Sequence, residues 1–349
     1  MNVLVGCTET LNPVVQRLCQ SLTEHRDVER ARRDLDAFWE GDSTVDVLHL
    51  HWPRALFERW RDPTRDDLSA LEDRLNDWRQ RVPIAVTVHN IQSHYREETP
   101  IFEALYRLVY RAADGVVHMG KTSKDRLHET YDLEGTEEVV IPHGQYDTLP
   151  NTVGRMQVRK ELGIAEDTSL ALVFGQVRDP EELALILDGT DAWGEGQTLV
   201  AGRLGWVEGK IVPYVVQGYH RLRTLGRPVR FRFGRFDDDC VQYFLNAADV
   251  VLIPRKHVLN SGNVALGFTF GRVVVGPDVG VVGEVLRETG NPVFDPASTQ
   301  SVGEALERGC ELQAEGKGDE NAAYAAEHMN WTTIAGQHVR FYHRLRSKI

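Results

Sequence analysis

The sequence predicts an α/β protein built from two doubly wound parallel-sheet domains, and three observations support this. Apolar runs of strand length alternate with longer amphipathic runs, which is typical of βαβ units. The alternation restarts after about residue 150, beyond a stretch at 142–155 that contains proline and glycine. A chain of 349 residues also exceeds the usual size of one hydrophobic core. We therefore expect domains at 1–150 and 151–332, with a last helix at about 333–349 that packs back on the first domain.

The first domain is predicted from short β-branched runs separated by amphipathic stretches. Its predicted strands are Asn2–Gly6, Val45–His51, Ile84–His89, Gly115–His118 and Glu138–Ile141. Its predicted helices are Pro13–Glu24, Arg65–Arg81, Pro100–Ala113 and Thr122–Tyr131.

The second domain repeats the pattern and ends in a helix with apolar or aromatic residues on one side. Its predicted strands are Ser169–Phe174, Thr198–Ala201, Val229–Phe233, Val250–Ile253 and Val273–Gly276. The predicted helices are Glu181–Leu187, Lys210–Leu225, Asp238–Ala247, Val264–Phe270, Gly283–Glu288 and the terminal Trp331–Ile349.

Composition excludes several classes of protein. With 52 acidic and 40 basic residues the net charge is −12, which argues against a general nucleic-acid binder. The sequence contains no apolar run as long as a membrane span and starts without a basic signal-peptide region, so we expect a cytoplasmic protein. No cysteine pair has metal-ligand spacing, and we predict no metal site and no cofactor. The four cysteines are Cys7, Cys19, Cys240 and Cys310.

An anion site is predicted at the turn Ser261-Gly262-Asn263, which precedes an apolar helical run. A helix start exposes unpaired N–H groups and the positive end of the helix dipole. The alternative is an ordinary N-cap on a buried helix, because Ser and Asn are favoured caps.

We expect binding residues directly after the strands, because ligands of open α/β sheets bind at the carboxyl ends of strands. In the first domain, polar and aromatic groups that suit a saccharide follow three strands, although each histidine alone has a structural alternative. They are Gly6, His51, Trp52, His89, Asn90 and His94.

In the second domain, two arginines follow consecutive predicted strands. Gly175-Gln176-Val177-Arg178 follows the first of these strands, and Arg203 follows the second. Guanidinium groups bind diphosphate oxygens in a bidentate fork, so both arginines are predicted to face the crevice between the strands. The alternative is a pair of solvated surface arginines.

The order of these motifs resembles that of the GT-B glycosyltransferases, and specifically the nucleotide-sugar-dependent group that includes bacterial polysaccharide mannosyl- and glucosyltransferases. The resemblance spans nearly the whole chain. Its carriers are Leu48–Pro53, Thr87–Asn90, Ala113–His118, Ile141–Gly144, Phe174–Arg178, Ala247–Pro254, Asn260–Gly262, Gly271–Val274 and Trp331–Ala335.

The resemblance implies two Rossmann-like domains facing a central cleft and a metal-independent, retaining transfer of a hexosyl group. The first domain would bind a saccharide or lipid-linked acceptor, and the second a GDP- or UDP-linked sugar. Gln176, Arg178 and the Ser261-Gly262-Asn263 turn would hold the diphosphate. His89 stands where such enzymes place a histidine that contacts the transferred sugar, which makes His89 and Arg178 the catalytic candidates.

Two departures from the family keep alternatives open. The spaced glutamate pair of many retaining members falls here at about Val258 and Leu266, with Glu284 as a substitute acid. The lysine that usually follows the phosphate-binding arginine is missing. A degenerate sugar- or nucleotide-binding protein is one alternative, and an inverting enzyme is another. Candidates for the base of an inverting enzyme are His51, His89, Glu97 and Glu98.

Two weaker hypotheses concern a metal and a membrane. Asp237-Asp238-Asp239 resembles a manganese-binding motif, but dipole complementation at a helix start is the simpler interpretation. Phe57 and Trp60 share a face in a helix with Arg54 and Arg61 nearby, which predicts peripheral contact with the inner face of the membrane. The alternative is that the two aromatic rings pack inward.

Overall fold

The computed structural model describes residues 1–7, 13–57, 61–91, 100–206 and 226–348. The chain divides into two compact units. The first unit comprises Met1–Gly144 together with His328–Ile349, and the second comprises Gln145–Glu327. The C-terminal helix therefore belongs to the first unit.

The sheet of the first unit has six parallel strands in the order β2-β1-β3-β4-β5-β6. Strands β1 and β3 are neighbours, so the winding direction of the chain reverses between them. The strands are β1 (Asn2–Val5), β2 (Arg30–Arg33), β3 (Val47–Leu50), β4 (Ile84–Thr87), β5 (Gly115–His118) and β6 (Glu137–Val140).

Helices flank this sheet, and side-chain caps define where several of them begin. Thr64 and Asp67 form a reciprocal capping box at the start of Arg65–Arg79. Asn330 accepts a hydrogen bond from the Thr333 N–H at the start of the last helix. The helices of the first unit are Pro13–Thr23, Leu35–Glu40, Arg65–Arg79, Pro100–Ala112, Lys121–His128 and Trp331–Arg346, with a 3-10 turn at Pro53–Leu56.

Sequence analysis missed strand β2 and the helix Leu35–Glu40 after it. Strand β2 has the sequence Arg-Ala-Arg-Arg and lies at the edge of the sheet, paired only with β1. An edge strand exposes much of its surface and so does not need the apolar alternation that predicts a buried strand. The helix begins at Asp34, whose side chain accepts from the Ala37 N–H.

The sheet of the second unit is also fully parallel, in the order β12-β11-β10-β7-β8-β9. Strand β7 is the first of this unit in the chain and lies between β8 and β10, so the winding direction reverses between β7 and β10. The strands are β7 (Leu170–Val177), β8 (Gln197–Leu204), β9 (Val229–Phe233), β10 (Val250–Leu252), β11 (Val273–Pro277) and β12 (Val293–Phe294).

The described helices of the second unit include three that the sequence analysis did not predict. These three are Arg155–Leu162, Thr299–Ala314 and Lys317–His328. The others are Pro180–Trp193, Asp238–Ala247, Gly262–Thr269 and Gly280–Glu288. The predicted helix Lys210–Leu225 lies outside the described residues.

Each unit has a hydrophobic core of its own. In the first, the terminal helix contributes Trp331, Ile334 and Phe341 to a cluster that includes Val3 and Leu18. In the second, apolar side chains of the sheet pack against the helices Pro180–Trp193 and Thr299–Ala314. The predicted class, two doubly wound parallel α/β sheets, is confirmed. Among the described helices, none is long and apolar enough to cross a membrane.

Candidate functional site

The candidate site of the second unit lies at the carboxyl ends of β7 and β10, where the winding of the sheet reverses. Such a switch point leaves a crevice beyond the strand ends in which ligands of doubly wound sheets bind. Arg178 is the first residue after β7, and Arg255 follows β10 after Ile253 and Pro254. The structure therefore brings two guanidinium groups to the end of neighbouring strands.

Two glycines shape the end of β7. Gly175 has φ of 101°, a conformation that L side chains rarely adopt. Its partner in the β7–β8 register is Gly202, and a Cβ atom there would overlap the Gly175 carbonyl oxygen. Because Gly202 has no side chain, the Gly175 carbonyl oxygen lies close to β8, just before Gln176 and Arg178.

A buried carboxylate joins the two strand ends. Glu182 Oε2 accepts a hydrogen bond from the Arg178 backbone N–H at 2.7 Å and contacts Nη1 of Arg255. The Arg255 Nη2 donates to the Gln176 carbonyl oxygen at 2.7 Å. Glu182 is positioned by the start of the helix Pro180–Trp193, where the Asp179 side chain accepts from two backbone N–H groups.

Burial perturbs all three charged groups. Burial and, to a smaller extent, the neighbouring Arg255 together lower the pKa of Arg178 to about 10. Burial likewise lowers the pKa of Arg255 and raises that of Glu182, while the attraction between these two opposes both shifts. Both arginines remain protonated at neutral pH, so this edge of the sheet carries two fixed positive charges close to one carboxylate.

The predicted anion-binding turn lies at the start of the helix Gly262–Thr269. Ser261 is its N-cap and accepts from the Asn263 N–H at 3.4 Å. The Asn263 side chain donates to the Phe174 carbonyl oxygen at 2.9 Å, which ties this helix start to β7. The turn, Gln176 and Arg178 therefore share one edge of the sheet, although Gly175 and Gln176 lie within β7 rather than after it, because β7 extends to Val177.

Arg203 is not where the sequence analysis expected it. Strand β8 extends to Leu204, so Arg203 lies within the strand, paired with Gln176, rather than in a loop after it. Its side chain is exposed, and β8 flanks β7 on the side away from β10. Arg203 therefore lies one strand away from the line between β7 and β10.

Glu284 lies one turn into the helix Gly280–Glu288 and is half-buried. The first turn of this helix packs on the loop after β10, because the Val281 N–H donates to the Leu259 carbonyl oxygen at 2.8 Å. The sequence analysis placed the missing glutamate pair at about Val258 and Leu266, and Leu266 is buried in the helix Gly262–Thr269.

The candidate site of the first unit gathers His51, Trp52 and His89 at the ends of β3 and β4. Nδ1 of His51 lies 2.9 Å from Nε2 of His89, and the rings of Trp52 and His89 stack with centroids 3.9 Å apart. His51 is buried, and its Nε2 has no hydrogen-bond partner among the described residues. Three predicted saccharide-facing side chains therefore form one cluster.

A layer of buried polar groups supports this cluster. Nδ1 of His49 lies 2.7 Å from the Tyr342 hydroxyl, and its Nε2 lies 2.8 Å from the Thr87 hydroxyl. His338 uses Nδ1 to donate to the Ile334 carbonyl oxygen. Burial lowers the pKa of His51 to about 3 and that of His338 to about 4, so both imidazoles are neutral at pH 7.

Of the remaining saccharide candidates, Gly6 and Asn90 are described through backbone hydrogen bonds. Gly6 follows β1 directly and is buried, and its backbone N–H donates to the His49 carbonyl oxygen at 3.2 Å. Asn90 follows His89, and its carbonyl oxygen accepts from the Tyr110 hydroxyl. The candidates His94, Glu97 and Glu98 lie outside the described residues.

Two residues of the site escaped the sequence analysis. Arg255 follows the end of a predicted strand, and the positional rule that selected Arg178 applies to it equally. Glu182 carried no comparable signal, because a glutamate in the first turn of a helix is ordinary. Only the pairing of β7 with β10 brings its carboxylate to Arg255.

The metal and membrane hypotheses gain no support from the side chains described. No group of three or more His, Cys, Asp or Glu side chains in this part of the chain is placed to hold a metal ion. The membrane face is contradicted at Phe57, which is buried at 3% exposure. Arg54 and Arg61 pair with Asp62 and Asp67, and Trp60 lies outside the described residues.

Comparison with known proteins identifies the fold. No protein-family model matches the sequence, and no curated protein matches it. Among solved structures, sucrose-phosphate synthase from Thermosynechococcus elongatus is similar over 100% of this chain and 99% of its own, at 14% identity and a TM-score of 0.74.

Two further structures show the same likeness over the whole chain. Anabaena HepE in complex with UDP-glucose is similar over 100% of this chain and 99% of its own, at 15% identity and a TM-score of 0.71. A glycosyltransferase from Rickettsia africae is similar over 99% of this chain and 98% of its own, at 10% identity and a TM-score of 0.65. The chain therefore has the GT-B fold.

Proposed function

We propose that the protein is a glycosyltransferase that moves a hexosyl group from a nucleotide-diphosphate sugar to a saccharide or lipid-linked acceptor. The observation that carries this proposal is the convergence of Arg178 and the Ser261-Gly262-Asn263 helix start on the switch point of the second unit. An arginine beside the positive end of a helix dipole suits a diphosphate. HepE, which shares the fold, is bound to UDP-glucose, which supports a UDP- or GDP-linked donor.

The chemistry needs negative charge to be stabilised on the departing diphosphate. The bond between the anomeric carbon and the diphosphate oxygen breaks, and a bond to an acceptor hydroxyl oxygen forms. Arg178 and the helix start stabilise the developing phosphate charge electrostatically, without a metal ion. With retention of configuration, a phosphate oxygen of the donor takes the hydroxyl proton.

In the first unit, we propose that Gly6, His51, Trp52, Asn90 and His94 bind the saccharide and that His89 contacts the transferred sugar. Aromatic rings such as Trp52 offer a stacking surface, and imidazole and amide groups form hydrogen bonds with sugar hydroxyls. Burial lowers the pKa of His89 well below its ordinary value, so the ring is neutral and able both to donate and to accept. An inverting mechanism would instead use His51 or His89 as the base.

A second candidate function is a sugar- or nucleotide-binding protein without transferase activity. It is favoured by the apolar Val258 and Leu266 at the positions where many retaining enzymes carry glutamates. Incubation with UDP- and GDP-hexoses separates the two candidates, because only an enzyme releases nucleoside diphosphate by transfer or hydrolysis.

The donor site is tested by binding of UDP, GDP, ADP and their sugar conjugates, measured by thermal shift and calorimetry. Arg178→Ala should weaken binding of the preferred nucleotide by about 1.5–3 kcal/mol, the scale of a charge-assisted hydrogen bond. Arg232→Ala is the control, because Arg232 is exposed and lies in β9, two strands from β7. Unchanged affinity in Arg178→Ala, or binding that disappears with EDTA, would contradict the proposal.

A further inference from the structure

The guanidinium of Arg255 is held in place from two sides. Its Nη1 contacts Glu182 Oε2, and its Nη2 donates to the Gln176 carbonyl oxygen at 2.7 Å. A guanidinium has five N–H groups. The described residues engage Arg255 through these two nitrogens only, so further N–H groups of a fixed, charged donor remain for a ligand.

The surroundings explain why this arrangement needs Glu182. The Arg255 side chain is 11% exposed and that of Glu182 is 5% exposed. Taking an unpaired charge out of water is costly, so each group needs the other to stay ionised here. The Asp179 carboxylate caps the helix Pro180–Trp193, and Lys256 pairs with Glu181 at 3.4 Å. These neighbouring charged groups therefore have partners of their own.

The same carboxylate also fixes the neighbouring strand end. Glu182 Oε2 accepts the Arg178 backbone N–H at 2.7 Å, so one oxygen holds the residue after β7 and the guanidinium after β10. Strands β7 and β10 are adjacent and parallel. Two cations from two strands therefore stand at one crevice, which matches a ligand with two linked phosphate groups.

We infer that Arg255 is the second cation of the diphosphate site and that Glu182 is its positioning residue, an inference that rests on the proposed function. Resembling enzymes usually place a lysine after the phosphate-binding arginine, and this chain has Glu181 and Glu182 there instead. Arg255 supplies the missing positive charge from a different strand. With one cation on each strand, the site distinguishes a nucleoside diphosphate from a monophosphate.

The test compares the affinities for UDP and UMP, or for GDP and GMP where guanine nucleotides bind more tightly. Arg255→Ala should weaken diphosphate binding by about tenfold or more, as expected for a lost charge-assisted hydrogen bond, and monophosphate binding by much less. The ratio of the two affinities therefore falls. Arg232→Ala, the exposed control in β9, should leave the ratio unchanged.

Substitutions of Glu182 test whether its carboxylate positions Arg255 or only stabilises the fold. Glu182→Gln keeps one oxygen able to accept from both Arg178 and Arg255, so it should retain the affinity ratio. Glu182→Ala removes both contacts and should lower the ratio as Arg255→Ala does. Where an alanine variant fails to fold, Arg255→Gln decides, because glutamine keeps side-chain N–H groups for Glu182 but carries no positive charge.

The outcomes distinguish this inference from the proposed function. A wild-type protein that binds none of UDP, GDP and ADP overturns both. Diphosphate binding with the same affinity ratio in folded Arg255→Ala or Arg255→Gln overturns the role of Arg255 alone. Equal ratios in Glu182→Ala and the wild type overturn the positioning role of Glu182.

Discussion

Mild acid should destabilise the first unit, because its core buries neutral histidines. His49, His51 and His338 are all buried. Burial lowers the pKa of His49 well below its ordinary value, that of His51 to about 3 and that of His338 to about 4. In the unfolded chain each imidazole titrates near its ordinary pKa of about 6.5.

The sign follows from where the protons bind. Between pH 6.5 and the lowered folded pKa values, the unfolded chain binds more protons, so stability falls as pH falls. From pH 7 to pH 5 each residue should cost about 2 kcal/mol of unfolding free energy, and the three together roughly 5–6 kcal/mol. That is comparable to the whole stability of many domains, about 5–15 kcal/mol.

Urea unfolding at pH 7, 6 and 5 measures this loss. In His338→Met the slope of stability against pH should become shallower by about one proton, or about 1.4 kcal/mol per pH unit. His343→Gln is the matched control, since His343 is on the same helix with a half-exposed side chain, and it should keep the wild-type slope. Stability that is flat from pH 7 to pH 5, or a folded His338→Met variant with the full slope, would refute the reasoning.

Three further outcomes are expected. Gly202→Ala should destabilise the second unit by about 1–3 kcal/mol in calorimetry, because the new methyl group overlaps the Gly175 carbonyl oxygen. Gly234→Ala is the control, because the nearest atom to its new methyl group would be 3.7 Å away. His89→Ala should lower the transfer rate more than nucleotide affinity, because His89 lies in the first unit and the nucleotide-binding candidates in the second; a full transfer rate would leave His89 a structural residue. Transfer should continue in EDTA, and loss of activity that Mn²⁺ restores would show that a metal takes part.

The sequence by itself determined the class of fold and the edge of each sheet where function is expected. Strands β5 and β9 were predicted with the bounds that the structure has, because short runs with β-branched or alternating aromatic residues are typical of strands. The edge strand β2 was missed, because three arginines in four residues carry no apolar signal.

The positions of His89 and Arg178 after their strands followed from the same rule of parallel sheets, since such loops meet at one edge. Arg203 was predicted to follow β8 and instead lies within it, because the unbroken apolar run ends at Ala201 while backbone pairing with β7 continues to Leu204. Strand length there is decided by the neighbouring strand and not by local sequence.

Only the tertiary structure decided which side chains meet. Glu182 and Arg255 are far apart in the chain, and the adjacency of β7 and β10 brings them together. His51 and His89 likewise meet because β3 and β4 pair in register. A sequence pattern encodes which face of an element is apolar, whereas a contact between polar side chains depends on strand order and helix packing, which long-range interactions select.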